Sequence, residues 1–220
     1  RAPACNNVAQ DYCHSSSFGA QLALSADGNT LAVSATGETS NARGVNGDQA
    51  NTDSLAAGAV YIFTRTGGKW SQQAYVKASN TPARNNTWCN LSYWATLPCD
   101  GQNFGASLAL SADGNLLAVG ATGDDSKSTG VNGDANDTSA AFAGAVHTYV
   151  RTGSTWAPQA YLKASNTDAG DGFGTSVSLS ADGSTLAVGA IFERSSATGV
   201  GGNQSCLLYT SPSPRDQRGS

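Results

Sequence analysis

Two stretches of this chain space oxygen-bearing side chains as a calcium loop does. Residues 44–53 read GVNGDQANTD and residues 130–139 read GVNGDANDTS. Asn46 and Asp48, like Asn132 and Asp134, stand at alternate positions, the pattern of residues that ligate one hard cation. Gly44 and Gly130 replace the leading Asp of such a loop, and a third stretch, GVGGNQ, carries Gly201 and Asn203 instead. Asn and Asp also make turns by bonding their own backbone. Two readings therefore stand: calcium ligands, with calcium the one cofactor the residues suggest, or Asx turns.

Cysteine offers a second chemistry. Cys13 lies five residues before Phe18, and Cys99 five before Phe104; Cys5 and Cys89 sit a short way upstream of each. The pairing expected is Cys5–Cys13 and Cys89–Cys99, each closing a small loop, which argues for an oxidising compartment. Zinc is the competing use of four thiols, but the spacings are not those of a knuckle or ribbon. The connectivity is not fixed by spacing. Between Cys89 and Cys99, or beside them, lie Trp88, Tyr93 and Trp94. Aromatics on a stapled loop are typical binding equipment, or else they cap a local core.

Catalytic groupings are thin. The only histidines are His14 and His147, and the only glutamates Glu38 and Glu193. No Gly-x-Ser-x-Gly elbow occurs. Thr66-Gly67-Gly68-Lys69 reads as a hairpin turn, since the second copy turns at Arg151-Thr152-Gly153-Ser154 without the Lys, so it is not a phosphate loop. Net charge is −4 with no basic run, which removes a nucleic-acid footprint. No apolar stretch approaches the roughly 18–20 residues of a membrane span.

The elements that position these residues come as a repeat. Residues 18–81 and 104–167 align without a gap, and 40 of the 64 positions are identical. A third copy begins at Phe173. Within a unit, FGASLAL alternates, SADGN turns, LLAVGA is an apolar run, and a polar loop follows. GAVHTYV alternates again, and TWAPQAYLKAS makes a fourth strand, with Pro158 marking an edge. Four antiparallel strands per repeat are the content of one propeller blade. The predicted fold is all-β: a β-propeller fragment of about two complete four-stranded blades plus part of a third. Trp70 and Trp156 are expected to be packing anchors, as are Tyr75 and Tyr161.

Phe18-Gly19, Phe104-Gly105 and Phe173-Gly174, with Val119-Gly120-Ala121 and Val188-Gly189-Ala190, resemble the two halves of the FG-GAP repeat. That repeat builds the integrin α-subunit propeller and many bacterial cell-envelope proteins. Many members carry an Asp-x-Asn-Gly-Asp-Gly calcium loop where this chain has only Ser25-Ala26-Asp27-Gly28, Ser111-Ala112-Asp113-Gly114 and Ser180-Ala181-Asp182-Gly183. Such a turn has too few oxygens for the about six to eight ligands calcium takes.

The resemblance implies an extracellular or cell-envelope module for adhesion or recognition of a protein or glycan ligand, non-catalytic. The alternative is the propeller part of an extracellular carbohydrate-active or other hydrolytic enzyme. The expected organisation is an N-terminal disulfide loop ending a preceding blade (1–17), repeat 1 (18–81), a stapled insertion (82–103), repeat 2 (104–167) and partial repeat 3 (168–205). The expected binding face combines loops 36–57 and 122–143 with the insertion. Residues 206–220, CLLYTSPSPRDQRGS, resemble translated sequencing-adapter read-through and are set aside from the fold.

Overall fold

The computed structural model describes residues 16–82, 101–195 and 202. Among them there is no helix; ten strands form antiparallel sheets of four, four and two. The first sheet holds β1 (Phe18–Leu24), β2 (Thr30–Ala35), β3 (Ala59–Thr66) and β4 (Lys69–Val76) in sequence order. The second repeats it with β5 (Phe104–Leu110), β6 (Leu116–Ala121), β7 (Ala145–Thr152) and β8 (Thr155–Leu162). The third holds β9 (Phe173–Leu179) and β10 (Leu186–Ala190). No barrel closes among the described residues, and the fold is that of a propeller-like fragment.

The register is the same in both full sheets. Ala35 faces Ala59 and Ala121 faces Ala145, while Val60 faces Val76 and Val146 faces Leu162. Pro158 lies on the edge strand β8 beside a bulge, where its missing N–H costs no ladder bond. The fourth strand is shorter than the alternation implies. It ends at Leu162; beyond it the Lys163 N–H goes to Gly130 O at 2.8 Å and its side chain reaches a buried carboxylate.

Each Ser-Ala-Asp-Gly segment closes its hairpin with its own oxygens. Asp27 Oδ1 accepts the Ser25 hydroxyl at 2.6 Å and the Asn29 N–H at 2.9 Å, and Ser25 Oγ accepts the Thr30 N–H. Asp113 and Asp182 do the same in their turns. The Ser25 hydroxyl, then the Asn29 amide, hold the Asp27 carboxyl down at about 2. The aspartate is a turn-former here.

Successive sheets stack through backbone contact. Phe104 bridges to Gly58 and Phe173 to Gly144, with β5 packed on β1 and β2 and β9 on β5 and β6. Gly144 has φ 80°, and a Cβ there would sit 2.1 Å from the Phe173 oxygen. Gly144→Ala should therefore cost about 2–3 kcal/mol, combining left-handed strain with a forced shift at the seam. The check is the urea midpoint; an unchanged midpoint removes the close-approach account.

The core between the first two sheets contains Val60, Ile62, Phe104, Leu117, Tyr149 and Trp156. Tyr75 and Tyr161 are buried as expected, but the two tryptophans part company: Trp156 is 4% exposed and Trp70 44%. Trp156 Nε1 donates to Gln73 of the preceding sheet at 2.9 Å. Trp70 has no preceding sheet among the described residues, so it shares with Phe18, Leu22 and Leu24 an open face.

Candidate functional site at the loop end of the sheets

An antiparallel meander sends alternate connections to opposite ends. Here one end carries only tight turns, at residues 25–29 and 67–68 and their counterparts. The other carries the long loops after β2 and β6 and the links after β4 and β8. The candidate loops 36–57 and 122–143 therefore share one end with both ends of the 82–103 connection. Trp88, Tyr93 and Trp94, and the cysteines of the expected pairs Cys5–Cys13 and Cys89–Cys99, lie outside the described residues.

Asn46 and Asn132 are in the left-handed region, at φ 57° and 56°. Asn46 exchanges two bonds with Tyr75: its N–H donates to Tyr75 O at 2.7 Å, and its Oδ1 accepts the Tyr75 N–H at 2.9 Å. Asn132 and Tyr161 repeat this at the same distances. The amide thus continues the ladder past the strand and ties the loop to β4 or β8. Asp48 Oδ1 accepts the Ala50 N–H at 2.8 Å, and Asp134 Oδ1 the Asn136 N–H at 2.9 Å, each an Asx turn. Their backbone oxygens take the Ser40 and Ser126 hydroxyls. The two asparagines tie their loops to β4 and β8, and the two aspartates turn their own loop. Among the described residues, no group of three or more His, Cys, Asp or Glu is placed to hold a metal. Asn46 with Asp48, or Asn132 with Asp134, offers by itself fewer oxygens than the about six to eight ligands calcium takes.

Asn132→Ala should cost about 1–2 kcal/mol and release the loop locally. Hydrogen exchange at the Tyr161 amide should accelerate; unchanged protection there would contradict the anchor role.

The most ordered chemistry at this end escaped the sequence reading. Three carboxylates occupy one repeat position: Glu38, Asp124 and Glu193. Glu38 Oε2 accepts Lys77 Nζ at 2.7 Å and Asp124 Oδ1 accepts Lys163 Nζ at 2.9 Å, both pairs buried. Each carboxylate also takes the N–H two residues on, from Ser40, Ser126 or Ser195. Two of them reach across a seam. Asp124 Oδ2 accepts Asn80 Nδ2 at 2.8 Å, and Glu193 Oε1 accepts the equivalent Asn166 Nδ2 at 2.9 Å. Tyr161 adds its hydroxyl to Asp124 at 2.7 Å.

Burial lowers Lys77 and Lys163 below the usual lysine range, while the facing carboxylates oppose it. Burial, and then the Asp124 charge, push the Tyr161 phenol up; burial and Glu38 hold Tyr61 at about 12. Every oxygen of the Asp124 carboxylate is occupied, so the cluster reads as a clamp on the loop end. It has the electrostatics of structure more than of proton transfer.

His147 stands where the first sheet has Tyr61. It is 2% exposed, edge-on to Phe104 at 5.5 Å and beside Tyr161 at 5.1 Å. Burial pushes its imidazole down to about 4, against the pull of Asp124 and with the help of Lys163.

No helix among the described residues is long and apolar enough to cross a membrane. No curated protein matches the chain. Residues 156–205 match the family model of the FG-GAP repeat, spanning β8, the third copy of the Phe-Gly strand and the Val-Gly-Ala strand. With ten strands in meander sheets of four, four and two, that match supports an FG-GAP β-propeller-like fragment.

Proposed function

We propose that this chain is part of an extracellular or cell-envelope propeller that recognises a protein or glycan ligand and does no chemistry on it. The observation that carries the reading is the asymmetry of the two ends. One end is all tight turns; the other gathers the long loops and the aromatic-rich connection 82–103. The buried acids and lysines at that end are saturated with one another, which favours a shaped surface over a reacting one. FG-GAP repeats typically occur in extracellular or envelope proteins, in keeping with this location.

Glycan and surface-protein arrays probed with the protein test it. Specific binding that falls at least about tenfold in Trp88→Ala with Trp94→Ala supports recognition through the connection. Binding unchanged by that pair removes the connection as the site. Turnover of an arrayed glycan would overturn the non-catalytic reading.

A further inference from the structure

Asn-Gly occurs at two places only in this chain, 46–47 and 132–133, and both are the loop anchors. Asn-Gly is the dipeptide most prone to spontaneous deamidation. The glycine nitrogen, with no Cβ beside it, attacks the neighbouring amide carbon unhindered.

The structure explains why this labile pair stands there. The anchor needs a residue at ease in the left-handed region that carries a short acceptor, and asparagine is one of the few. Asn132 N–H donates to Tyr161 O at 2.7 Å and Asn132 Oδ1 accepts Tyr161 N–H at 2.9 Å; Asn46 and Tyr75 pair identically. The next position needs room. A Cβ on Gly133 would lie 2.7 Å from Ser128 Cβ, and one on Gly47 would lie 2.8 Å from Ala42 Cβ. Anchor and packing together install a reactive dipeptide in both loops.

The same anchor holds the reaction off. In cyclisation the glycine nitrogen loses its proton to base and bonds to the asparagine Cγ. The Cγ–Nδ2 bond breaks and ammonia leaves. The five-membered ring requires that nitrogen to lie eclipsed with Cβ across the Cα–C bond. The left-handed region pairs φ near 57° with ψ of about 47°, which sets the nitrogen almost opposite Cβ. The Oδ1 bond to the tyrosine must also break. The docked loop is therefore unreactive, and local opening sets the rate.

Water then opens the ring at one of two carbonyls. Breaking the new bond to Cγ leaves aspartate, whose carboxylate accepts the tyrosine N–H as before. Breaking the bond to the main-chain carbonyl leaves isoaspartate. The main chain then runs through Cβ and Cγ, one methylene longer, and the two-bond fit to tyrosine is lost.

We propose that Asn46-Gly47 and Asn132-Gly133 are gated deamidation sites, silent while each asparagine is docked on its tyrosine and converted irreversibly to an undocked isoaspartate loop once the docking opens. The inference goes beyond the recognition reading and does not depend on it.

Native protein and protein unfolded in urea are incubated side by side at mildly alkaline pH. Peptide mapping by mass spectrometry follows amide-to-acid conversion at every asparagine, and isoaspartyl methyltransferase labels the isoaspartate. In urea the two Asn-Gly sites should convert ahead of all others. In the native protein both should be at least about tenfold slower. Ser126→Ala removes the hydroxyl that holds Asp134 O at 2.7 Å. It should speed conversion at Asn132 about fivefold, leaving Asn46 unchanged, as the loss of one loop hydrogen bond does; circular dichroism checks its fold. Equal rates in native and unfolded protein, or a folded Ser126→Ala that reacts at Asn132 no faster than wild type, overturns the gate. The isoaspartate-132 form, separated by ion exchange, should lose hydrogen-exchange protection at the Tyr161 amide, and Asn132→Asp should keep it. Full protection in the isoaspartate form overturns the undocking. These readouts involve no ligand, so their failure is separable from a negative array.

Discussion

Asp124→Ala is expected to destabilise the protein by about 3–5 kcal/mol, as breaking one side of a buried ion pair does. The carboxylate is fully buried and serves Lys163, Tyr161, Ser126 and Asn80 at once. Removing it strands a lysine that has no other partner of opposite charge in hydrogen-bond range among the described residues. Glu38→Ala should cost less. It breaks the equivalent pair with Lys77 but, among the described residues, no bond from a neighbouring sheet. The measurement is the urea midpoint of both variants. A loss below about 1 kcal/mol for Asp124→Ala, or a larger loss for Glu38→Ala, would sink the clamp. Asp124→Ala with Lys163→Met should regain part of the loss, since no charge is then left unpaired.

The second large effect is acid sensitivity through His147. Its imidazole is held at about 4 in the folded protein, against an ordinary value of 6.5. The unfolded chain therefore binds this proton more readily than the folded one. Stability is complete above pH 6.5 and falls as the pH drops from there toward 4. A depression of about 2.5 units corresponds to about 3 kcal/mol lost over that window. His147→Tyr should flatten it, because Tyr61 already fills the matching place, ring to ring with Phe18 at 5.4 Å and Tyr75 at 5.2 Å. Stability is read by urea titration at several pH values. If the wild type and His147→Tyr decline in parallel between pH 6.5 and 4, another group is responsible.

The alternation in FGASLAL and GAVHTYV, with the Asp-Gly turns, makes the strand order of each sheet legible in the sequence. The Phe-Gly pairs carry the resemblance in the sequence, and the structure shows them at the stacking positions, with Gly105 at φ 96° at the bulge after Phe104. The carboxylate row was not legible. Glu38 and Asp124 differ in type, so aligning by identity discards them, while Lys77 and Lys163 read as the polar margin of a strand. Their signal was an acid at one repeat position in all three copies, with lysine fixed at another. Its meaning depends on burial, which composition does not carry. The tryptophans failed for a related reason. Trp70 and Trp156 sit in the same local sequence, but what covers each belongs to the sheet before it. The Asx loops were read as two possibilities. The backbone decides their hydrogen bonding: a left-handed Asn at 46 and 132 turns its amide onto a tyrosine peptide.

The seam bonds from Asn80 to Asp124 and from Asn166 to Glu193 have a consequence for cooperativity. Asp124 and Glu193 each hold the N–H two residues on in their own repeat and also accept a donor from the repeat before it. The repeats joined this way are not independent folding units: part of the free energy of each is recorded in its neighbour. Damage to one carboxylate propagates backward along the chain, in the direction opposite to synthesis. The array behaves as a nearest-neighbour chain with a built-in polarity.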